Sequence, residues 1–255
     1  MPTRKFRVCE AFGIPVYLDL SLAVLLVLFV LDFGSFSFGL ACALLLALSI
    51  TAHELGHALV ARAFGYPTRD ITLSLLGGCA SLVALPRRSS QEFLTAVAGP
   101  AVSFVLAGLF FLAARFAPIS NHFTAGMVSY GFWMNLMLGG FNLLPGFPMD
   151  GGRIFRSAAR LFTTRAKATF AAMAVGRVFA VLLALRGLHS MFTGGGWGFV
   201  SVLIAWMIWR EGWREYQAAL QEERWGFDAS DRWARVSPPP YGGRASDAEI
   251  REGDE

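Results

Sequence analysis

Long apolar runs constrain this chain more than any other feature, because they recur along most of its length. Hydrophobic residues make up 55% of its 255 residues and charged residues only 16%, whereas soluble domains carry about 25% charged residues. A membrane span needs about 20 mostly apolar residues. We therefore predict an all-α polytopic membrane protein with about six transmembrane helices. The predicted spans are residues 16–32, 38–61, 93–116, 123–144, 168–188 and 198–209.

The positions of lysine and arginine predict the orientation of these spans, since positively charged residues stay on the cytoplasmic side. Most of them fall at the N-terminus, in the loops after the second and fourth spans, and in the C-terminal tail, whereas the opposite loops hold only Arg115 and Arg186. We expect a multi-pass protein of the bacterial cytoplasmic membrane with both termini in the cytoplasm. This topology explains the net charge of +4, so we expect no nucleic-acid partner.

The character of the chain changes near residue 212. The residues beyond it are polar and include three consecutive prolines, Pro238 to Pro240. Such a composition buries too little apolar surface to fold. We predict a six-helix transmembrane domain over residues 1–212 and a polar cytoplasmic tail over 213–255, largely disordered after about residue 237.

A short segment between the second and third spans has the pattern of a β-hairpin. Ile71, Leu73 and Leu75 alternate with polar or smaller residues, and Gly77-Gly78 suits a two-residue turn. We predict a small β-hairpin or sheet near the cytoplasmic face, with a loop on the membrane surface as the alternative. Its open edge would pair with an extended peptide. Residues 12–18 are a candidate for a further strand.

The second span contains the sequence His53-Glu54-Leu55-Gly56-His57. On a helix this spacing places both histidines on one face, one turn apart, with the glutamate beside them. Two imidazoles and a carboxylate in this arrangement bind Zn²⁺ and activate a water molecule. Ionisable groups in hydrocarbon are costly and usually functional. The pattern predicts water chemistry inside a membrane, the alternative being two core histidines bonded to carbonyl groups.

A catalytic zinc ion takes three protein ligands and leaves one position open, so a third ligand must come from elsewhere. Asp150 follows the fourth span in a stretch that also contains Pro145, Gly146 and Pro148, where the helix must break. Broken backbone at membrane depth is tolerated where it lines a watery cavity or is buried in protein. Asp150 is the best candidate for the third ligand, although a helix-capping aspartate is an alternative.

The two motifs together resemble those of the site-2 proteases, intramembrane zinc metalloproteases of peptidase family M50. HELGH in a second span is followed by NLLPGFPMDGG after a fourth, and the family pattern is HExxH plus N-x-x-P-x-x-P-x-D-G. The resemblance implies that His53, His57 and Asp150 bind one Zn²⁺ per chain. It also implies that Glu54 is the general base and that Asn142 lies near the scissile carbonyl.

The resemblance further implies a substrate that is itself a transmembrane protein within the lipid bilayer. Such a substrate must be held extended, and we assign this role to Gly77 and Gly78 of the hairpin and to Pro145 and Pro148 of the broken segment. The chain resembles a compact member of the family without PDZ or CBS domains. It departs from the family at Ser103, near which relatives commonly carry an asparagine.

The predicted function is hydrolysis of peptide bonds in or near transmembrane segments, as in regulated intramembrane proteolysis. One alternative is a catalytically inactive metal-binding scaffold, and another is a transporter. A transporter would need ionisable residues across several spans, whereas here they collect at one end. A different HExxH peptidase family with a glutamate as third ligand is disfavoured, because no downstream glutamate lies in an apolar span. The sequence leaves the oligomeric state open.

Overall fold

The computed structural model describes residues 5–32, 35–74, 77–82, 88–118, 120–194 and 198–225. Within them the chain is mostly helical and has one small sheet. The strands are β1 (Lys5–Ala11), β2 (Ile14–Asp19), β3 (Thr68–Ser74) and β4 (Gly77–Leu82). The helices are α1 (Leu20–Asp32), α2 (Phe36–Ala63), α3 (Ser89–Phe116), α4 (His122–Asn142), α5 (Asp150–Ala159), α6 (Arg165–Phe192) and α7 (Gly198–Trp225).

The four strands form one sheet in the order β1-β2-β3-β4. β1 and β2 are antiparallel, β2 and β3 are parallel, and β3 and β4 are antiparallel. The predicted hairpin between α2 and α3 is therefore confirmed, but its turn is not where the glycines predicted it. Gly77 and Gly78 lie within β4, opposite Ser74 and Leu73, because strand pairing continues to the end of β3. The link, residues 75 and 76, lies outside the described residues.

The strand expected over residues 12–18 is confirmed as β2, and it shortens the first predicted span. Asp19 ends this strand and accepts a hydrogen bond from the main-chain N–H of Ser21 at 2.8 Å, as a residue at a helix start does. Helix α1 then has only 13 residues. At 1.5 Å per residue it is about 20 Å long, less than the roughly 30 Å of a hydrocarbon core.

Three helices of the described part of the chain, α2, α3 and α6, are long and apolar enough to cross a membrane. The other predicted spans differ in identifiable ways. Helix α4 has 21 residues but includes four glycines and two asparagines. Helix α7 runs 28 residues and continues through residue 212 without a break, carrying arginines and glutamates in its second half. The region predicted to be disordered, after about residue 237, lies outside the described residues.

The sheet packs on the same helix that carries HELGH. Ile14 and Val16 of β2 and Ile71 and Leu73 of β3 are buried against α2 at Ile50 and Ala58. On another side α2 meets α3 closely, since a Cβ placed on Gly56 would lie 2.9 Å from the main-chain oxygen of Ala98. The motif is thus enclosed between the sheet and α3. Many apolar side chains on the outer helix faces, Leu48 and Leu182 among them, are exposed, as expected for contact with lipid.

Candidate metal centre

Three side chains from two helices meet at one point. His53 and His57 project from α2, and Asp150 is the first residue of α5. The Nε2 atoms of the two histidines are 3.2 Å apart, and Oδ2 of Asp150 lies 3.1 Å from each of them. Among the described residues this is the cluster of histidine and acidic side chains that could hold a metal ion.

The triangle formed by His53 Nε2, His57 Nε2 and Asp150 Oδ2 has the dimensions and donor chemistry that zinc requires. Four ligands about 2.0–2.1 Å from a tetrahedral zinc ion are about 3.3–3.4 Å from one another. The observed separations of 3.1 and 3.2 Å are close to that value. Two imidazole nitrogens and one carboxylate oxygen, with one position left for water, form a donor set of catalytic zinc sites. The side chains present therefore fit a zinc ion.

Helix α3 sets which ring nitrogen of each histidine faces the centre. Nδ1 of His57 lies 2.7 Å from the main-chain oxygen of Thr95. That oxygen can only accept, so Nδ1 donates its proton to it, and Nε2 is the nitrogen that faces the centre and can bind a metal in its unprotonated form. Nδ1 of His53 lies 2.9 Å from Oγ of Ser103, which is fully buried. Such outer hydrogen bonds orient metal ligands and raise their basicity.

The same face of α3 also provides the space for the centre. A Cβ on Gly99 would collide with Nε2 and Cε1 of His57 and lie 2.7 Å from Nε2 of His53. Thr95, Gly99 and Ser103 are spaced by four residues and therefore share one face of α3. Neither Thr95 nor Gly99 belongs to a motif that predicts a role for it. This spacing is the signal that points to them once α3 is known to pack against the histidines.

Glu54 lies beside the triangle and is not one of its corners. Its side chain is buried, and the charges of His57, His53, Asp150 and Arg153 act on its carboxylate. A buried carboxylate beside a group of candidate metal ligands can act as a proton acceptor. The structure thus brings together four of the predicted site residues.

The remaining predicted residues lie near the broken segment or in the sheet. Nδ2 of Asn142 donates to the main-chain oxygen of Leu138, one turn back on α4, at 2.9 Å. Pro145 is exposed and Pro148 half-buried in the segment that joins α4 to α5. In the described structure none of these three side chains is bonded to the triangle.

Helix α5 was not predicted, and an ionic network holds it in place. Arg156 donates from Nε and Nη2 to Oε1 of Glu92 on α3, at 2.8 and 2.5 Å, and from Nη1 to Oε2 of Glu215 on α7, at 3.2 Å. Its guanidinium lies 4.8 Å from the ring centre of Phe147, and its side chain is 3% exposed. Because Asp150 begins this helix, the network fixes the third corner of the triangle.

The carboxylates of Glu215 and Asp150 remain ionised despite their burial. Burial alone would raise the pKa of Glu215, but the charges of Arg153 and Arg156 outweigh it and hold that pKa below its ordinary value. Burial would likewise raise the pKa of Asp150. The charge of His57 and the hydrogen bonds to both histidines hold it well below its usual range instead. Asp150 therefore offers a charged oxygen to a cation.

The fold and the site together define a helical membrane protein with a metal centre made by two histidines and one aspartate. A model of Peptidase family M50 matches residues 41–125 and 117–185, a range that includes all three. The chain belongs to peptidase family M50.

Individual relatives agree with this assignment. A Synechocystis protein whose name describes it as a zinc metalloprotease is 35% identical over 92% of this chain and 66% of its own length. Zinc metalloprotease MJ0392 of Methanocaldococcus jannaschii is 35% identical over 73% of this chain and 55% of its own length. The chain thus spans between about half and two thirds of these relatives. The solved structure of the site-2 protease from Methanocaldococcus jannaschii superposes with a TM-score of 0.65 at 30% identity, over 84% of this chain and 95% of that one.

Proposed function

We propose that this protein is an intramembrane zinc metalloprotease that hydrolyses peptide bonds in or near transmembrane segments of membrane proteins. The observation that carries the proposal is the triangle of His53 Nε2, His57 Nε2 and Asp150 Oδ2, whose two buried histidines lie on a helix long and apolar enough to cross a membrane. Water chemistry at that place requires both a metal and a substrate that reaches it through the bilayer.

His53, His57 and Asp150 would hold one zinc ion per chain. Zinc bound there would act as a Lewis acid and lower the pKa of a bound water molecule toward about 7. The main-chain oxygen of Thr95 and the hydroxyl of Ser103 keep the two imidazoles oriented. Each of these groups is in place before substrate arrives.

Glu54 would act as the general base. Its buried carboxylate accepts the proton of the attacking water and passes it to the leaving amine. Asn142 would donate its amide to the developing oxyanion. For this its side chain must turn away from the oxygen of Leu138 to which it now donates. That exchange costs little, because one hydrogen bond replaces another.

A helical substrate hides its carbonyl groups in hydrogen bonds and must unwind before it can be cut. β4 is the last strand of the sheet, and Gly77 and Gly78 at its start present main-chain groups without a side chain. An extended substrate segment would pair along this edge. Pro145 and Pro148, whose nitrogens carry no hydrogen, would line the opposite side of the path.

We further propose that α1, α2, α3, α4, α6 and α7 form six spans of a bacterial cytoplasmic membrane with both termini in the cytoplasm. The six helices coincide in order and approximate position with the six apolar runs, and the short α1 would cross where the bilayer thins around it. Residues 1–212 would then form the transmembrane metalloprotease domain and residues 213–255 a cytoplasmic tail that begins as the end of α7.

The decisive experiment is a comparison of Glu54→Gln with the wild-type protein. We would measure bound zinc by elemental analysis and cleavage of candidate single-span membrane proteins in vesicles. Glu54→Gln should retain zinc and lose cleavage, whereas Glu10→Gln, an exposed residue of β1, should retain both. Persistent cleavage by Glu54→Gln would refute the mechanism. Bound zinc without cleavage in the wild-type protein would instead favour an inactive metal-binding scaffold.

A further inference from the structure

Arg177 lies in the middle of α6 and differs from the arginines around it. Six other arginines in or directly next to α5, α6 and α7 lie within 4.0 Å of a carboxylate: Arg153, Arg156, Arg160, Arg165, Arg210 and Arg214. Arg177 has no acidic partner within that distance among the residues that the structure describes. An unpaired charge within an apolar helix is expensive and usually marks a binding or transport function.

Two tryptophans of α7 hold the guanidinium of Arg177. Its Cζ atom lies 4.5 Å from the ring centre of Trp209 and 5.1 Å from that of Trp213. The rings attract the cation through their faces, but they accept no hydrogen bond in the guanidinium plane. Nε of Arg177 is buried without a hydrogen-bond partner. The flat guanidinium is therefore held in position with its Nε–H unsatisfied, and the Arg177 side chain is only half-buried.

The surroundings of Arg177 have the character of a membrane–water boundary. The apolar run of α7 ends at Trp209, and Arg210, Glu211 and Arg214 follow within one and a half turns. The side chains of Trp209 and Trp213 are partly exposed. The start of α6 pairs with Glu222 and Glu223 in the polar second half of α7, so the first part of α6 extends out of the bilayer. Tryptophan is enriched at the level of lipid headgroups, and the two rings therefore indicate that Arg177 lies at that level.

The charge of this patch, formed by Arg177, Trp209, Arg210, Trp213 and Arg214, favours an anion. Arg210 and Arg214 share a single carboxylate, that of Glu211, at 3.7 and 2.7 Å, and Arg177 adds a further positive charge. A guanidinium presents N–H groups in a planar fork that matches the oxygens of a phosphate. A headgroup phosphate at the membrane surface is the anion that this height in the bilayer supplies.

We propose that Arg177, held between Trp209 and Trp213, binds the phosphate of an anionic phospholipid such as phosphatidylglycerol. The site lies outside the metal triangle and contributes nothing to its ligands. The proposal goes beyond the protease function, and its test does not depend on that function.

The test is phospholipid binding to the purified full-length protein, measured by native mass spectrometry during titration with phosphatidylglycerol. Arg177→Met keeps the length and apolar contact of the side chain and removes the charge, so affinity should fall about tenfold, as for a lost charge-assisted contact. Arg177→Lys should bind more tightly than Arg177→Met. Arg186→Met, an exposed arginine toward the other end of α6, is the matched control and should bind like the wild type. Equal losses in Arg177→Met and Arg186→Met would overturn the proposal.

A second measurement uses the wild-type protein alone and does not depend on the folding of any variant. A phosphatidylglycerol with a photoreactive headgroup should attach to peptides containing Trp209 or Trp213. Glycerol phosphate in excess should compete weakly if the bilayer supplies the ligand. Complete competition would show that the site takes soluble phosphates instead, and attachment confined to other helices would show that no such site exists.

Discussion

The main-chain oxygen of Thr95 and Nδ1 of His57 are 2.7 Å apart. Helix α3, which supplies none of the three candidate ligands, therefore orients a histidine ring of α2. No side-chain substitution at position 95 removes this oxygen. What can change is the distance between α2 and α3, which depends on small residues at their contact. Zinc binding should therefore be sensitive to glycines of α3, which lie outside the HExxH motif.

Replacement of Gly99 by alanine should empty the metal centre. The added methyl group would occupy the space of His57 Nε2, and both histidines would have to turn away. We expect zinc affinity to fall by at least the roughly 10- to 100-fold seen when outer-shell groups are lost, with cleavage lost in parallel. Elemental analysis of the purified variant measures the first effect. Gly108→Ala is the control, because a Cβ at that position of α3 meets nothing within 4 Å. Normal zinc content in Gly99→Ala would contradict the assignment.

Ser103→Ala should weaken the centre without emptying it. The substitution removes the hydroxyl that lies 2.9 Å from Nδ1 of His53 and leaves the ring free to rotate. Zinc affinity should fall by roughly tenfold or more, which a competition titration with a chelator would measure. Ser157→Ala removes another buried hydroxyl, bonded to the main-chain oxygen of Ile154, and should leave zinc affinity unchanged. If both variants bind zinc alike, Ser103 does not orient His53.

Glu92→Gln should destabilise the protein strongly. Arg156 and Glu92 form a nearly buried pair, and removing one partner of such a pair costs about 3–5 kcal/mol, because the other charge is left uncompensated. Thermal unfolding in detergent would show a lower midpoint. The exposed pair of Arg7 and Glu10 provides the comparison, since loss of a surface pair costs about 0–1 kcal/mol. Similar midpoints for Glu92→Gln and Glu10→Gln would mean that the pair does not hold α5.

Acid should weaken the contact between α5 and α7. Because Arg153 and Arg156 lower the pKa of Glu215 from its ordinary value of 4.5, the folded state binds this proton less readily than the unfolded state. The resulting stability is fully present above about pH 4.5 and is lost as the pH falls through the lower pKa of the folded protein. Unfolding midpoints between pH 6 and pH 3 should fall more steeply for the wild type than for Glu215→Gln. Parallel curves would exclude this contribution.

The three residues of the triangle were predictable because their chemistry is local in sequence. HExxH places two histidines and a glutamate close together on any helix. The helix break predicted at Pro145 and Pro148 made Asp150 the best candidate for the third ligand. The supporting residues were not predictable, since Thr95, Gly99 and Ser103 acquire roles only through contact with another helix. The turn predicted at Gly77 and Gly78 was wrong, because glycine is compatible with a strand as well as with a turn.

The helical layout was predictable to a similar extent. Apolar runs predicted where long helices occur, but hydropathy alone did not separate strand β2 from the start of α1. Asp19 made that separation, through a hydrogen bond to Ser21 that depends on local geometry. Likewise α5 has no apolar run to reveal it, and its position depends on the partners of Arg156 in α3 and α7.

The parallel pairing of β2 with β3 has a consequence for the order of assembly. Val16 is paired with Ile71, although α1 and α2 lie between them in the chain. Parallel neighbours require a crossover connection, and here a pair of helices makes it. The amino-terminal strands cannot complete the sheet until both helices have been synthesised and have returned the chain to the side from which it started. The sheet can therefore close over α2 only once the whole of α2 and β3 has been synthesised.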